Sequence, residues 1–238
     1  MAPATGGQQT AEFQALCARL AEMEKKLETL RAEATRSADI LEIMRVMSNY
    51  IYWLETAQHH RIWPELWAQN EPNVEAELTD SGVFVGQDKV RRVFEGMAKS
   101  NDGDRTAKSR GWMPNIQLST PIVVVSKDGT KGKGMWHAFG PHAMNVTPYP
   151  GDEHKLTAYW FMAKYNNEFV KEDRWRFSAI HCHIYFRTPY DQGWLKQPDC
   201  RRFMPIPGLD PDRGPTLQSI YSSDGWNRYL PLPPEREE

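Results

Sequence analysis

The sequence predicts an α+β fold, with helices leading and strands following. Three observations predict it. Apolar residues recur at spacings of three and four through Ile40, Leu41, Met44, Met47, Ile51 and Leu54, the signature of an amphipathic helix. Short strand-like runs bounded by turn residues begin at Val74. A Lys127-Asp128-Gly129-Thr130 turn then joins two longer strand patterns into a hairpin.

Residues 1–10 are polar and glycine-containing, a composition expected to be disordered. Phe13, Leu16, Leu20, Met23, Leu27, Leu30 and Ala34 then alternate spacings of three and four, a seam of about three heptads flanked by Glu and Lys. Such a helix either forms a short coiled coil between subunits or lies on a domain surface. The next helix carries Tyr50 and Glu55, five residues apart. His59 and His60 follow it, and Pro64 opens a second short helix that ends near Trp67. VEAEL and GVFVG are strands around an Asp80-Ser81-Gly82 turn, and Gln87 to Met97 is a helix whose inner face carries Val90, Val93, Phe94 and Met97. Residues 100–111 are a polar loop, suited to a gate. Ile116 to Val125 and Lys131 to Phe139 are the hairpin strands. Residues 140–155 are a loop rich in Gly, Pro and His. Thr157 to Tyr165 and Trp175 to Phe186 are further strands. From Thr188 to Glu238 the chain is rich in Pro and Gly yet carries Trp194, Phe203, Ile206, Tyr221, Trp226 and Tyr229. An arm that apolar should wrap its own domain or a neighbouring subunit and can cover a cavity mouth.

Composition narrows the function classes. A net charge of −2 offers no basic field for nucleic acid. No apolar run approaches the roughly 18 residues of a membrane span, and the first residues lack the pattern of a secretory signal. Cys17, Cys182 and Cys200 are scattered and odd in number, so neither a disulfide framework nor a zinc spacing follows, and a reducing cytoplasm is the expected compartment. Phosphate-binding glycine loops, a Ser-His-Asp set and a dinucleotide fingerprint are all missing.

Nine Trp can line a cavity for flat rings. Trp112 and Trp136 are candidates there, with Arg110 for a phenolate or carboxylate, and Tyr52, Tyr159 and Tyr185 for a phenol. Strict alternation along the last strand places Trp175, Phe177, Ala179, His181, His183 and Tyr185 on one face. His181 and His183 can then hold one substrate between them. His-x-His is also a metal spacing, but no third ligand is evident and no metal is expected. His59 and His60, at a helix C-terminus, gain basicity and suit a general acid. His142 and His154 fall in the expected loop and should be solvated.

A long helix with Tyr50 and Glu55, a short helix ending Leu66-Trp67-Ala68, the stretch GVFVGQDKVRRVFEG, the D-G hairpin and the Trp175-Arg176-Phe177 run occur in a fixed order. Together, over Ser37 to Phe186, they resemble the SnoaL-like branch of the NTF2-like superfamily. The resemblance implies an NTF2-like cone, a curved antiparallel sheet wrapped around helices with a conical cavity. It divides the chain into residues 1–36 (tail and heptad helix), 37–187 (SnoaL-like domain) and 188–238 (irregular C-terminal arm). Enzymes of this family include dehydratases, isomerases and aldol-type cyclases, mostly without a cofactor. Its dehydratases carry a Tyr and, five residues on, an Asp; here these are Tyr50 and Glu55. The histidine usual on the strand before an asparagine is absent, since Trp112 stands three before Asn115.

The expectation is a cofactor-independent lyase. Tyr50, His59 or His60 would be the acid, and Glu55, His181 or His183 the base. Its partners would be a small aromatic substrate and further copies of itself, as a dimer or trimer. The N-terminal helix, Trp-rich core and long arm are similar to the diarylpropane lyases, which release formaldehyde from lignin-derived diols and leave a stilbene. A dehydratase or isomerase, and a non-catalytic ligand-binding or assembly module, are the alternatives.

Overall fold

The computed structural model describes residues 6–78, 81–101, 111–144, 157–198, 208–216, 221–225 and 231–235. Contacts divide the chain into two units, Met1–Asp39 and Ile40–Glu238. The helix α1 runs Gly6–Glu55, so the helix starts earlier than the heptads alone indicate. No helix among the described residues is long and apolar enough to cross a membrane.

In the second unit, the stripe of α1 that enters the core is Ile43, Val46, Met47, Tyr50, Ile51, Trp53 and Leu54. Leu41, expected on that stripe, is 66 % exposed. The helix ends in a Schellman arrangement. Gln58 N–H donates to Trp53 O at 2.9 Å, and Ala57 takes a left-handed φ of 54° where glycine is usual. A 3-10 turn, His59–Arg61, leads into α2, Ile62–Leu66. The strands β1, Glu75–Leu78, and β2, Gly82–Val85, precede α3, Gln87–Asn101. Then come β3, Met113–Pro114, β4, Gln117–Val125, β5, Lys131–Met144, β6, Thr157–Lys171, and β7, Trp175–Pro189.

The sheet order is β2-β1-β7-β6-β5-β3, with β4 also paired to β5. Every pairing is antiparallel except β1 with β7. The inner face meets α1, α2 and α3 through Trp67, Phe94, Trp136, Phe161, Tyr165, Phe169 and Phe177. Arg176 fastens the helices to the sheet. Its guanidinium lies 3.3 Å from Glu172 and 3.1 Å from Asp173, and donates to the carbonyls of Pro64, Glu65 and Trp67. These carbonyls at the end of α2 lack helical partners and need such a donor.

Two irregularities in β7 overturn the strict alternation read from its sequence. Glu168 pairs with Ala179 but Phe169 pairs with Phe177, so Ser178 is an extra residue, a β-bulge. A second shift pairs Met162 with Phe186 and Ala163 with Ile184, leaving Tyr185 extra. Trp175 and Phe177 therefore share the inner face with Ile180, Cys182 and Ile184. Ala179, His181, His183 and Tyr185 face the other way.

The described parts of the C-terminal arm pack on that outer face and along the β2 edge. Arg213 bridges to Val83, Asp212 pairs with Lys89, and Asp212 N–H donates to Val83 O. Phe203, Ile206, Trp226 and Tyr229 lie outside the described residues, as do Cys200 and the polar loop from 102 to 110.

Candidate active site

Tyr50 sits at the bottom of the interior, 1 % exposed, edge-on to Phe94, Tyr165 and Phe177 at 5.7–6.3 Å between ring centroids. It is hydrogen-bonded to Tyr165, which in turn bonds Cys182. Burial pushes both phenols well above the ordinary tyrosine range, so both are neutral at any physiological pH. This end of the interior is filled by rings. Trp67 lies among them with its indole N–H buried and without a partner among the described residues.

The polar groups gather at the other end, where β3 and β4 cross β5. Glu55, on the last turn of α1, accepts Ile116 N–H at 2.6 Å. Beside it, Asn115 crosses so close to Gly140 that a Cβ there would sit 1.9 Å from Asn115 O. The Asn115 Oδ1 is buried and unpartnered among the described residues. His142, one step beyond in β5, pairs with Pro114 on one side and Tyr159 on the other. Its ring stacks on Phe161, at 4.9 Å between centroids and 16° between planes. Across Phe161 in the ladder stands Arg187, its guanidinium 5.7 Å from the same ring.

His142 is 5 % exposed, and its ring nitrogens have no side-chain hydrogen-bond partner among the described residues. Burial, reinforced by the Arg187 charge, pulls its pKa down to about 4; a contact with the Asn115 backbone opposes this. The imidazole is therefore neutral at pH 7 and has a free lone pair. The expectation of a solvated loop histidine is overturned for His142; His154 lies outside the described residues. The chain around Gly140-Pro141 carries loop signals, but Pro141 falls where Asn115 and Ile116 leave the β5 ladder unpaired, so no N–H is missed there. The usable signal was parity: Trp136, Ala138, Gly140 and His142 alternate on one face.

Other expected residues fall elsewhere. His59 is 2 % exposed, with its ring 6.2 Å from that of Trp112. It lines a cleft of about 390 Å³ with His60, Trp63, Phe94 and Lys99. His60 is exposed. Tyr52 is 64 % exposed, and Trp136 packs on Phe169 in the core. Arg110 lies outside the described residues.

His181 and His183 do not reach Tyr50 or Glu55. On the outer face His181 Nδ1 lies 2.9 Å from Glu77, whose carboxylate also accepts the N–H and hydroxyl of Thr216 from the arm. Burial would raise the Glu77 pKa, but the bonds from His181 and Thr216 hold it below the usual range. Burial lowers His183, helped by His181 and Lys164 against the pull of Glu77. Tyr185 also faces outward, under Lys164. Among the described residues no three His, Cys, Asp or Glu are grouped to hold a metal ion.

The SnoaL-like domain family matches residues 35–181. The chain belongs to the SnoaL-like family. No curated protein matches this SnoaL-like chain in sequence. Among solved structures it is similar to hexachlorocyclohexane dehydrochlorinase LinA-type3 from Novosphingobium barchaimii, at 16 % identity and TM-score 0.45, over 66 % of this chain and 93 % of that one. It is also similar to an NTF2-like protein with a cystatin-like fold from Novosphingobium aromaticivorans, at 14 % identity and TM-score 0.42, over 69 % and 89 %.

Proposed function

We propose that this SnoaL-like protein is a cofactor-independent lyase acting on an aromatic small molecule at the end of the interior that holds Glu55, Asn115, His142 and Arg187. The observation that carries the reading is His142, buried and neutral, with a ring nitrogen left unpartnered among the described residues. A buried polar ring left without partners is costly unless a ligand supplies them. Phe161, flat against the imidazole, suits a ring-bearing guest.

His142 serves as the general base, and Arg187 holds the oxyanion that forms. Glu55 and Asn115 orient the leaving hydroxyl. Proton removal from carbon with loss of the neighbouring hydroxyl gives dehydration: water leaves and a double bond forms. On a 1,2-diarylpropane-1,3-diol, the base instead takes the proton of the CH2–OH group. Formaldehyde departs, its C–C electron pair becomes the new double bond, and the benzylic hydroxyl leaves as water. The products are a stilbene, formaldehyde and water.

The test is turnover of aryl diols without added cofactor, followed by aromatic absorbance and a formaldehyde assay. His142→Ala is expected to lose about 10²- to 10⁴-fold in kcat. Formaldehyde in step with the alkene identifies deformylation, and an alkene alone identifies dehydration. Unchanged turnover in both His142→Ala and Glu55→Gln would sink the reading.

A further inference from the structure

We infer that the N-terminal helix docks against the same helix of a second copy of this chain, parallel and in register. The seam Phe13, Leu16, Leu20, Met23, Leu27 and Leu30 is 47–66 % exposed at every position. All of residues 11–35 are exposed on every side. The strict three-four alternation has a period of 3.5, which keeps facing another helix that supercoils with it; a helix lying on a globular surface follows 3.6. The seam from Phe13 to Ala34 is about 30 Å long, and a helix of that length draws most of its stability from packing its apolar face.

Charge selects the orientation. With Phe13, Leu20 and Leu27 at position a, the g positions are Glu12, Arg19, Lys26 and Glu33, and the e positions Cys17, Glu24 and Arg31. Parallel pairing sets each Arg19 beside Glu24 of the other copy. It also sets Lys26 near Arg31, a like pair at the solvent-exposed edge of the seam, where Lys26 also meets Glu22 of its own helix at 2.7 Å. Antiparallel pairing that overlaps the whole seam would instead oppose Arg19 to Lys26 and Glu12 to Glu33, like charges at both of these g–g contacts, with no opposite-charge pair to offset them. The occupant is thus a second copy, and the parallel register is the one with an opposite-charge pair and fewer opposed like charges.

The test uses the full chain. In a Cys17→Ser background, Leu30→Cys is expected to give a covalent dimer on mild oxidation, at least tenfold faster than Lys25→Cys, which lies on the far side of the helix. Adding Leu20→Glu and Leu27→Glu should abolish that cross-link while near-ultraviolet circular dichroism of the second unit is unchanged. Equal rates for Leu30→Cys and Lys25→Cys overturn the inference. So does a monomeric mass for the unmodified chain in light scattering. Cross-linking of Phe13→Cys to Leu30→Cys in a mixture overturns the parallel register.

Discussion

His142 gives the protein a pH signature of its own. Its folded pKa of about 4 lies below the ordinary histidine value near 6.5, so the unfolded chain binds the extra proton first. The stability that neutral His142 contributes is complete above pH 6.5 and drains away as pH falls toward 4. The whole effect is on the order of 3 kcal/mol. Denaturant melts of the wild type and His142→Gln between pH 7 and 4 should converge, because the variant lacks this acid limb. Two backbone positions offer simpler checks. Ala57 holds a left-handed φ without being glycine, so Ala57→Gly should raise stability by about 0.5–1 kcal/mol in a urea melt. Gly140→Ala would drive a methyl into Asn115 O and should cost about 3 kcal/mol or more. The same substitution should depress turnover, since it displaces Asn115 and the start of β4 beside Glu55.

At the scale of elements, most of the architecture was legible because its signals are local. The three-four spacing marked α1, the Asp128-Gly129 pair marked the β4–β5 turn, and the Trp175-Arg176-Phe177 run marked β7, where Arg176 does clasp the end of α2. The face of β7 was not legible. An extra residue at Ser178 leaves no mark in composition, since serine suits strand, turn and bulge alike. That one insertion moved His181 and His183 away from Tyr50 and brought Cys182 in. His142 was obscured for a related reason: Gly140 and Pro141 read as the end of a strand that in fact continues past them to Met144. The outer pair nonetheless has a structural role. Glu77 receives bonds from His181 and Thr216, so it holds the arm to β1 and β7. Glu77→Ala should lower stability by about 2–3 kcal/mol. It should also open the arm near Thr216 to limited proteolysis, read by the mass of the fragment released.

For the molecule as a whole, the sheet has two differently employed sides. The inner side holds Tyr50 and the ring-filled core together with the Glu55–Asn115–His142–Arg187 end. The outer side holds charged groups under the arm: Lys164 donates to Pro231 O at 3.1 Å, and Tyr221 N–H donates to Tyr185 O. A chain ended before Gly208 loses these contacts and bares Glu77. Its unfolding temperature should fall by several degrees, at about 2–4 °C for each kcal/mol in a protein of this size. Its KM for an aryl diol should change little, because Glu77, Lys164 and Tyr185, which the arm touches, face away from His142.

The paired bulges of β7 also carry a consequence for tolerance to change along the strand. Ser178 and Tyr185 act as two phase slips, half a period each, which cancel by the time Arg187 is reached. The positions that face the helices therefore change parity twice: Trp175 and Phe177, then Ile180, Cys182 and Ile184, then Arg187. Leucine replacements of the outward His181 should accordingly cost less than lysine replacements of its inward neighbours Ile180 and Cys182, read in a urea melt.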